Sequence, residues 1–365
     1  MSIAIVGAGL SGLICARILQ EHDIPATVYE RDASPAARRQ GGSLDIHDDS
    51  GQIALREAGL LDEFRRHTHP LGESLRVLDK TGAVLVDHAP PGGGGGRPEI
   101  DRTVLRDMLI ASLDPGRIVW GRKVTSVTAG ELAFADGSRV SADVIIGADG
   151  TWSRVRPLLS AARPDYTGIT YVEFHPTGAA AVVGPGMTFA VSDGMGILGH
   201  GGEHVDLGAC LRVPADWLTA SGVDWSDADS VRAALLREFA GWSPEIQDLI
   251  RHCDDTLVAR QIFALPVGHR WPRTPGVTLA GDAAHVMSPF AGEGANLALL
   301  DGAELALALI KHGDDVETAL GEYEAAMFPR AARSAEQSAM GLEMIFAPDS
   351  PRGLVEFFST VGAAA

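Results

Sequence analysis

The chain has 365 residues, 45% of them apolar and 21% charged, and its 48 acidic against 30 basic side chains give a formal net charge of −18. That is enough chain for one large domain or two smaller ones around a sizeable core. The acidic balance, with no Lys/Arg-rich patch to neutralise a phosphate backbone, argues against nucleic acid as a partner. Three widely spaced cysteines, Cys15, Cys210 and Cys253, form no C-x-x-C pair, so neither a disulfide framework nor a thiolate zinc site is expected and a reducing compartment fits. The N-terminus lacks a basic n-region and its apolar run Ile3–Val6 breaks at Gly7, so the chain is expected in the cytoplasm, with no signal peptide and no membrane span.

The first elements in chain order form a βαβ unit. In "SIAIVGAGLSGLICARILQEHDIPATVYER" a β-branched strand, a glycine turn, a stretch with apolar residues at helical spacing and a second strand follow one another. Helical pieces are then expected around Asp48–Ala58 and Asp101–Leu113, and short strands at Leu75–Leu78, Ala83–Val86, Ile118–Trp120, Val124–Thr128 and Glu131–Phe134. Asp136-Gly137 marks a hairpin, and a buried strand, Val144–Ile146, runs into "GADG". The glycine run in "PPGGGGGRP", Pro90–Pro98, reads as a mobile surface loop, with a lid as the alternative.

From about Tyr166 to Pro275 the pattern turns β-rich, with helices near Asp229–Ala240 and Pro244–Cys253. "GVTLAGD" then resumes the buried-strand style, followed by long helical stretches over Gly294–Lys311 and Val316–Phe346. The expected architecture is α/β: a discontinuous Rossmann-like domain over 1–165 and 276–315, an inserted β-sheet domain over 166–275 with strands contributed from 70–105, and a C-terminal helix over 316–365.

Gly7-x-Gly9-x-x-Gly12 sits between strand and helix, and Glu30 closes the next strand, the full context of a dinucleotide fingerprint. Gly7 permits the tight turn, Gly9 lets a pyrophosphate approach the helix's positive end, Gly12 lets helix and strand pack closely, and Glu30 can accept from a ribose. This motif alone does not separate FAD from NAD. Asp282 follows a buried strand, so its carboxylate lies where ligands of α/β sheets bind; the alternative is that it caps the next turn. Gly292 and Gly294 allow backbone amides to face a ligand at the start of the helix that follows. "HGGEH", His200–His204, matches a zinc pattern, but its two glycines argue for a turn rather than the helix a zinc site needs. His285 is expected to order its own turn rather than act as a base, and His47 carries no evident role.

"VIIGADGTWSRVR", Val144–Arg156, resembles the DG motif of flavoprotein aromatic hydroxylases, and "GDAAHVMSPFAGEGAN", Gly281–Asn296, resembles their GD motif. With the N-terminal fingerprint, the three motifs resemble the single-component FAD monooxygenases of the para-hydroxybenzoate hydroxylase fold, over nearly the whole chain. "YERD", "GGSLDIHDDSGQIALREAGLL" and "PEIDRTVLRDML" are similar to stretches of the tetracycline-inactivating flavin monooxygenases of the Tet(X) type. That resemblance implies FAD contacts from Glu30, Arg31, Asp45, Arg102 and Asp282, an NADPH contact from Arg38, and a link between flavin and nicotinamide regions at Asp149. The cofactor set is completed by Gly7, Gly9, Gly12, Pro289, Gly292, Gly294, Ala295 and Asn296.

The activity implied is oxygenation of a substrate by hydroxylation, epoxidation or Baeyer–Villiger insertion, through a flavin C4a-hydroperoxide formed with NADPH or NADH and O2. No catalytic side chain is expected, because the cofactor carries the chemistry. In the Tet(X) branch a glutamine, an arginine and a histidine hold tetracycline; ungapped comparison puts Ala190, Gly196 and Asp206 in their places, so a different hydrophobic, polycyclic or aromatic substrate is expected. Pocket residues are expected at Phe189, Asp206, Gly208 and Phe290, with Met195, Leu207, Met287 and Pro289 also facing the substrate. A flavin dehydrogenase or reductase without productive oxygen insertion, and a flavin-binding protein without turnover, are the alternatives. The oligomeric expectation is a monomer or homodimer.

Overall fold

The computed structural model describes residues 1–37, 41–68, 74–88, 96–178, 182–201 and 205–362. Arg38, most of the glycine run and the second half of "HGGEH" lie outside the described residues. Internal packing divides the chain into two units. The first holds residues 1–68, 100–165 and 263–339, and the second holds 69–99, 166–262 and 340–365. Residues 263–275 therefore go with the first unit, and the expected boundary at 275 falls inside it.

The first unit is built on a five-stranded sheet in the order Val277–Leu279, Val144–Gly147, Ile3–Val6, Ala26–Tyr29, Ile118–Val119. Its pairings are all parallel, with Val6 opposite both Tyr29 and Gly147, and Gly147 opposite Leu279. Ile3–Val6 and Val144–Gly147 are buried at every position, as strands covered on both faces are. Two helices pack closely on this sheet: a Cβ at Gly302 of the Gly294–His312 helix would fall 2.3 Å from the Ser11 carbonyl of the Leu10–Glu21 helix, so only glycine allows that approach. A three-stranded antiparallel sheet carries the expected hairpin, with Gly137 at φ +83° between Glu131–Phe134 and Arg139–Ser141.

Buried Glu324 ties the long Val316–Ile345 helix to the sheet. One of its oxygens accepts from Trp271 Nε1 at 3.0 Å, Thr278 Oγ1 at 2.7 Å and Arg273 Nη1 at 2.5 Å. Tyr323 beside it donates to the Leu279 carbonyl at 3.0 Å.

The second unit is a seven-stranded, mostly antiparallel sheet in the order Val258–Ala264, Asp165–Phe174, Asp206–Arg212, Met195–Gly201, Gly186–Ser192, Leu75–Leu78, Val84–His88. One face packs on the helices Ala228–Glu238 and Pro244–Arg251 through Ala190, Ile197, Leu207, Ala209 and Val172 against Leu235, Phe239 and Ile246. Caps from Asp227 and Ser243 start those helices. Strand alternation sends Phe189, Leu198, Gly208, Cys210 and Tyr171 to the other face. On that face Phe358, from the Arg352–Gly362 helix, packs against Phe189 with the rings tilted and their centroids 6.1 Å apart. The stretch 316–365, expected as one helix, is two, because Pro348 and Pro351 interrupt the ladder of amide donors between Ile345 and Arg352. Among the described residues no helix is long and apolar enough to cross a membrane, and all three cysteines are buried free thiols.

Replacing Glu324 by Ala strips buried Trp271 and Thr278 and half-buried Arg273 of one shared acceptor, and chemical denaturation is expected to show a loss of about 3 kcal/mol, as for the breaking of a buried charged pair. A loss within experimental error would mean that water replaces the carboxylate.

Candidate functional site

The parallel strands of the first unit end at one edge, and the glycine turn begins there. Gly7 has φ +106°, and a Cβ on it would lie 2.3 Å from the Ala148 carbonyl, so the first turn passes directly over the end of the Val144–Gly147 strand. Gly12 is as constrained, 2.2 Å from the Gly7 carbonyl, whereas a Cβ on Gly9 would meet only the Ala148 oxygen at 4.0 Å. Gly9 is therefore not required by the protein's own packing. It also starts the first helix with no side-chain cap, which leaves the amides of that helix end directed outward.

Glu30 holds the turn from the second strand. Its buried carboxylate accepts from the Ala8 amide at 2.7 Å and the Asp32 amide at 2.9 Å. Arg106, unremarked in the sequence, donates to the Ala8 carbonyl at 3.2 Å and the Pro35 carbonyl at 3.1 Å. Arg31 is exposed and lies 3.8 Å from Asp32.

Asp149 leaves the neighbouring strand. One of its oxygens accepts the Arg154 amide at 2.6 Å, while Oδ1 is buried with no partner at hydrogen-bond distance. Burial raises its carboxyl, opposed by Ser153 and the Arg154 amide. Buried Arg156, at the end of the same motif, reaches the Ala283 carbonyl at 3.1 Å and also holds the Thr151 carbonyl, so it fastens the DG segment to the GD segment.

Gly281, at φ +62° and ψ −143°, turns the chain so that Asp282 opens a short helix, Asp282–His285. Asp282 does not cap this turn, and its carboxylate makes no hydrogen bond to the described residues. Water reaches the residue, yet burial pushes its carboxyl above the usual range against the pull of His285, Arg102 and Arg156. Exposed Arg102, its amide bonded to the Gly42 carbonyl at 3.1 Å, is thus close enough to act on Asp282.

Two loops meet beside this edge. Buried His47 contacts Asp45 Oδ2 at 2.9 Å and lies 3.7 Å from Glu293, so it is a cross-tie between loops and not the idle residue its sequence position suggests. The side chain of fully buried Asn296 is engaged by protein: Oδ1 accepts the His47 amide at 2.8 Å and Nδ2 donates to the Asp45 carbonyl at 2.9 Å and the Gly292 carbonyl at 3.3 Å. Gly292, at φ +71°, lies against the Asp45 carboxylate, and its amide donates to the Pro289 carbonyl at 3.0 Å. Gly294 and Ala295 start an uncapped 19-residue helix, and a Cβ on Gly294 would meet nothing. Pro289 is exposed and Phe290 half-buried ahead of it.

In the second unit Phe189, Gly196, Asp206 and Gly208 share the face away from the helices, while Ala190 and Leu207 face the helix-packed core, where Met195 also packs. Ala190 therefore does not occupy a ligand-facing position, Leu207 is a core residue and half-buried Met195 packs against that core; one position of offset reverses the face. Asp206 pairs with His175 at 3.0 Å. The Tyr171 ring covers Gly208 so closely that a Cβ there would overlap it, and burial raises the Tyr171 phenol first, with Cys210, Glu173 and Asp206 adding to the effect.

The FAD binding domain family model matches residues 1–183 and 268–338. Monooxygenase penA of Penicillium thymicola is 31% identical over 91% of this chain and 92% of its own length. Among solved structures, Klebsiella pneumoniae HpxO complexed with FAD and uric acid aligns with a TM-score of 0.81 at 24% identity, covering 99% of this chain and 92% of its own. The tetracycline destructase Tet(51) aligns with a TM-score of 0.72 at 20% identity, covering 99% and 95%.

The chain belongs to the FAD binding domain family. It is an FAD-dependent monooxygenase of the para-hydroxybenzoate hydroxylase fold, with NAD(P)H and O2 as co-substrates.

Removing the Asp282 charge with Asp282→Asn is expected to weaken FAD binding roughly 10- to 100-fold, the value of one charge-assisted hydrogen bond. Fluorescence titration of flavin-free protein measures it, and an unchanged affinity would take Asp282 out of the cofactor site.

Proposed function

We propose that FAD lies along the carboxyl edge of the parallel sheet, and that the enzyme oxygenates a hydrophobic, aromatic or polycyclic small molecule held on the face of the second unit's sheet that carries Phe189 and Gly208. The observation that carries the cofactor part is Asp282, a water-exposed carboxylate just past the end of the buried Val277–Leu279 strand, with no hydrogen bond to the described residues. The orphaned Oδ1 of Asp149, the open space over Gly9 and the two uncapped helix ends support the same placement.

In this reading the amides after Gly9 bind the pyrophosphate, and Glu30, which already accepts two backbone amides, presents its remaining lone pairs to the adenosine ribose. Asp282 accepts a ribityl hydroxyl. Arg31, Asp45 and Arg102 add contacts, Arg38 takes the NADPH side, and Asp149 stands between the flavin and nicotinamide regions. Gly292, Gly294, Ala295 and Asn296 direct the amides of the Gly294–His312 helix at the flavin ring, with Pro289 beside it. A helix N-terminus favours the negative charge that reduction brings. FAD supplies the redox chemistry, accepting reducing equivalents from NAD(P)H and activating O2 for transfer of one oxygen atom. The protein's part is to bind, to orient and to exclude water.

Phe189, Asp206, Gly208 and Phe290 are assigned to the substrate, joined by Tyr171, whose phenol lies on the Phe189 face. The named activity of penA as a monooxygenase supports oxygenation, and the uric acid bound to HpxO supports an aromatic or polycyclic ligand. A ligand screen scored by NADPH consumption, followed by mass analysis under labelled O2, is expected to yield a product carrying one oxygen atom from O2. NADPH consumption that yields only hydrogen peroxide with every stimulating ligand would contradict substrate oxygenation.

For that substrate, Tyr171→Phe is expected to raise KM roughly 5- to 50-fold with kcat nearly kept, the signature of a lost binding hydrogen bond. Steady-state kinetics measures it, and an unchanged KM would remove the phenol from the site.

A further inference from the structure

Beneath the Gly281 turn lies a cluster of charges gathered around Asp301. Asp301 is fully buried, and its Oδ2 accepts both the Gly281 amide at 2.9 Å and His285 Nε2 at 2.6 Å. Its Oδ1 accepts Arg330 Nη2 at 3.1 Å, and Arg330 also grips Glu304 at 2.8 Å and 2.6 Å. Arg330 is shared with the partly exposed Glu304, so the fully buried Asp301 carboxylate has only part of one guanidinium to balance it, which is costly unless another cation helps. His285 is the group in place to do so. Its Nδ1 is buried with no partner, and its ring borders a cavity of about 10 Å³ shared with Leu265, Pro266, His269, Ala331 and Ala335. That is about the space of one water.

We propose that His285 is a charged positioning residue: with Nε2–H on Asp301 and Nδ1–H on a buried water, it fixes the Gly281 turn through Asp301 and keeps Asp282 ionised to receive FAD. The proposal rests on Asp282 being the cofactor anchor. Burial works against charge on the ring, but Asp301 outweighs it and, with Asp282, holds His285 above the usual histidine range. Asp301 is likewise held below the usual carboxylate range, burial being overcome by His285 and Arg330. The other groups facing the cluster oppose or balance it: Arg156 and Arg102 act on Asp282, and His269 is held below the usual histidine range by burial and by Arg156 and His285 while its ring bonds the Ala284 carbonyl at 2.6 Å.

The sign follows. A histidine raised in the folded protein carries full charge below its ordinary value and loses it only as pH rises through the raised one. FAD affinity should therefore fall as pH rises above the ordinary histidine range, through the raised value of His285.

The test is FAD affinity from pH 6 to pH 9.5 in the wild type, His285→Gln, Asp301→Asn and Asp282→Asn. Wild-type affinity is expected to fall roughly tenfold across the alkaline limb, the effect of one pKa unit of coupling. His285→Gln should bind more weakly at neutral pH and show no alkaline limb, and Asp301→Asn should move the limb to lower pH. A wild-type profile flat over the whole range overturns the proposal, and this needs no variant to fold. So does a His285→Gln enzyme that matches wild type at every pH while Asp282→Asn is weakened. If Asp282→Asn itself binds FAD as wild type does, the cofactor placement fails first.

Discussion

Five strands that all run the same way must end at the same edge, and the geometry of the cofactor side follows from their register. Because Val6 stands opposite Tyr29 and Gly147, and Gly147 opposite Leu279, the residues that come next are delivered together: Gly7, Glu30, Ala148–Asp149 and Ala280–Asp282. They are separated by up to 275 positions in sequence. No loop has to search for the others; the parallel sheet lines them up, and crossover connections supply helix N-termini at the same level. Gly7 is then forced, since a side chain there would occupy the Ala148 carbonyl.

Charges buried around this edge serve position more than net stability. Glu324 gathers three donors on one oxygen, Asp301 gathers an amide, an imidazole and a guanidinium, and Arg156 bridges two motifs by their carbonyls. Removing one partner from such a set strands the others in a low-dielectric interior, so each set admits one arrangement of its loops. A flavin edge needs that definition: misplacing a reacting atom by an ångström costs far more in rate than a few tenths of a kcal/mol costs in stability.

The local parts of this structure were legible in the sequence. The glycine spacing between a strand and a helix, the Asp-Gly hairpin and the long apolar helices are short-range patterns, and the DG and GD motifs carried the family. What was not legible depended on which face a residue takes. Ala190 was matched to a ligand-binding position, but the alternation of the Gly186–Ser192 strand turns it into the helix-packed core and brings Phe189 to the open face. His285 does brace its own turn, but through Asp301, 16 residues away on the next long helix, with Arg330 further still on another. Helical periodicity gives each helix a buried stripe but does not say which stripes meet. The C-terminal stretch divided between the two units, which no composition shift announced.

The claim that FAD occupies the carboxyl edge is tested most directly by hydrogen–deuterium exchange of flavin-free protein with and without added FAD. The account predicts protection in three separated segments, around Gly7–Leu13, Asp149–Arg156 and Gly281–Leu297, with little change on the Ala228–Glu238 and Pro244–Arg251 helices. Saturating FAD with no protection in the Gly281–Leu297 segment would contradict it.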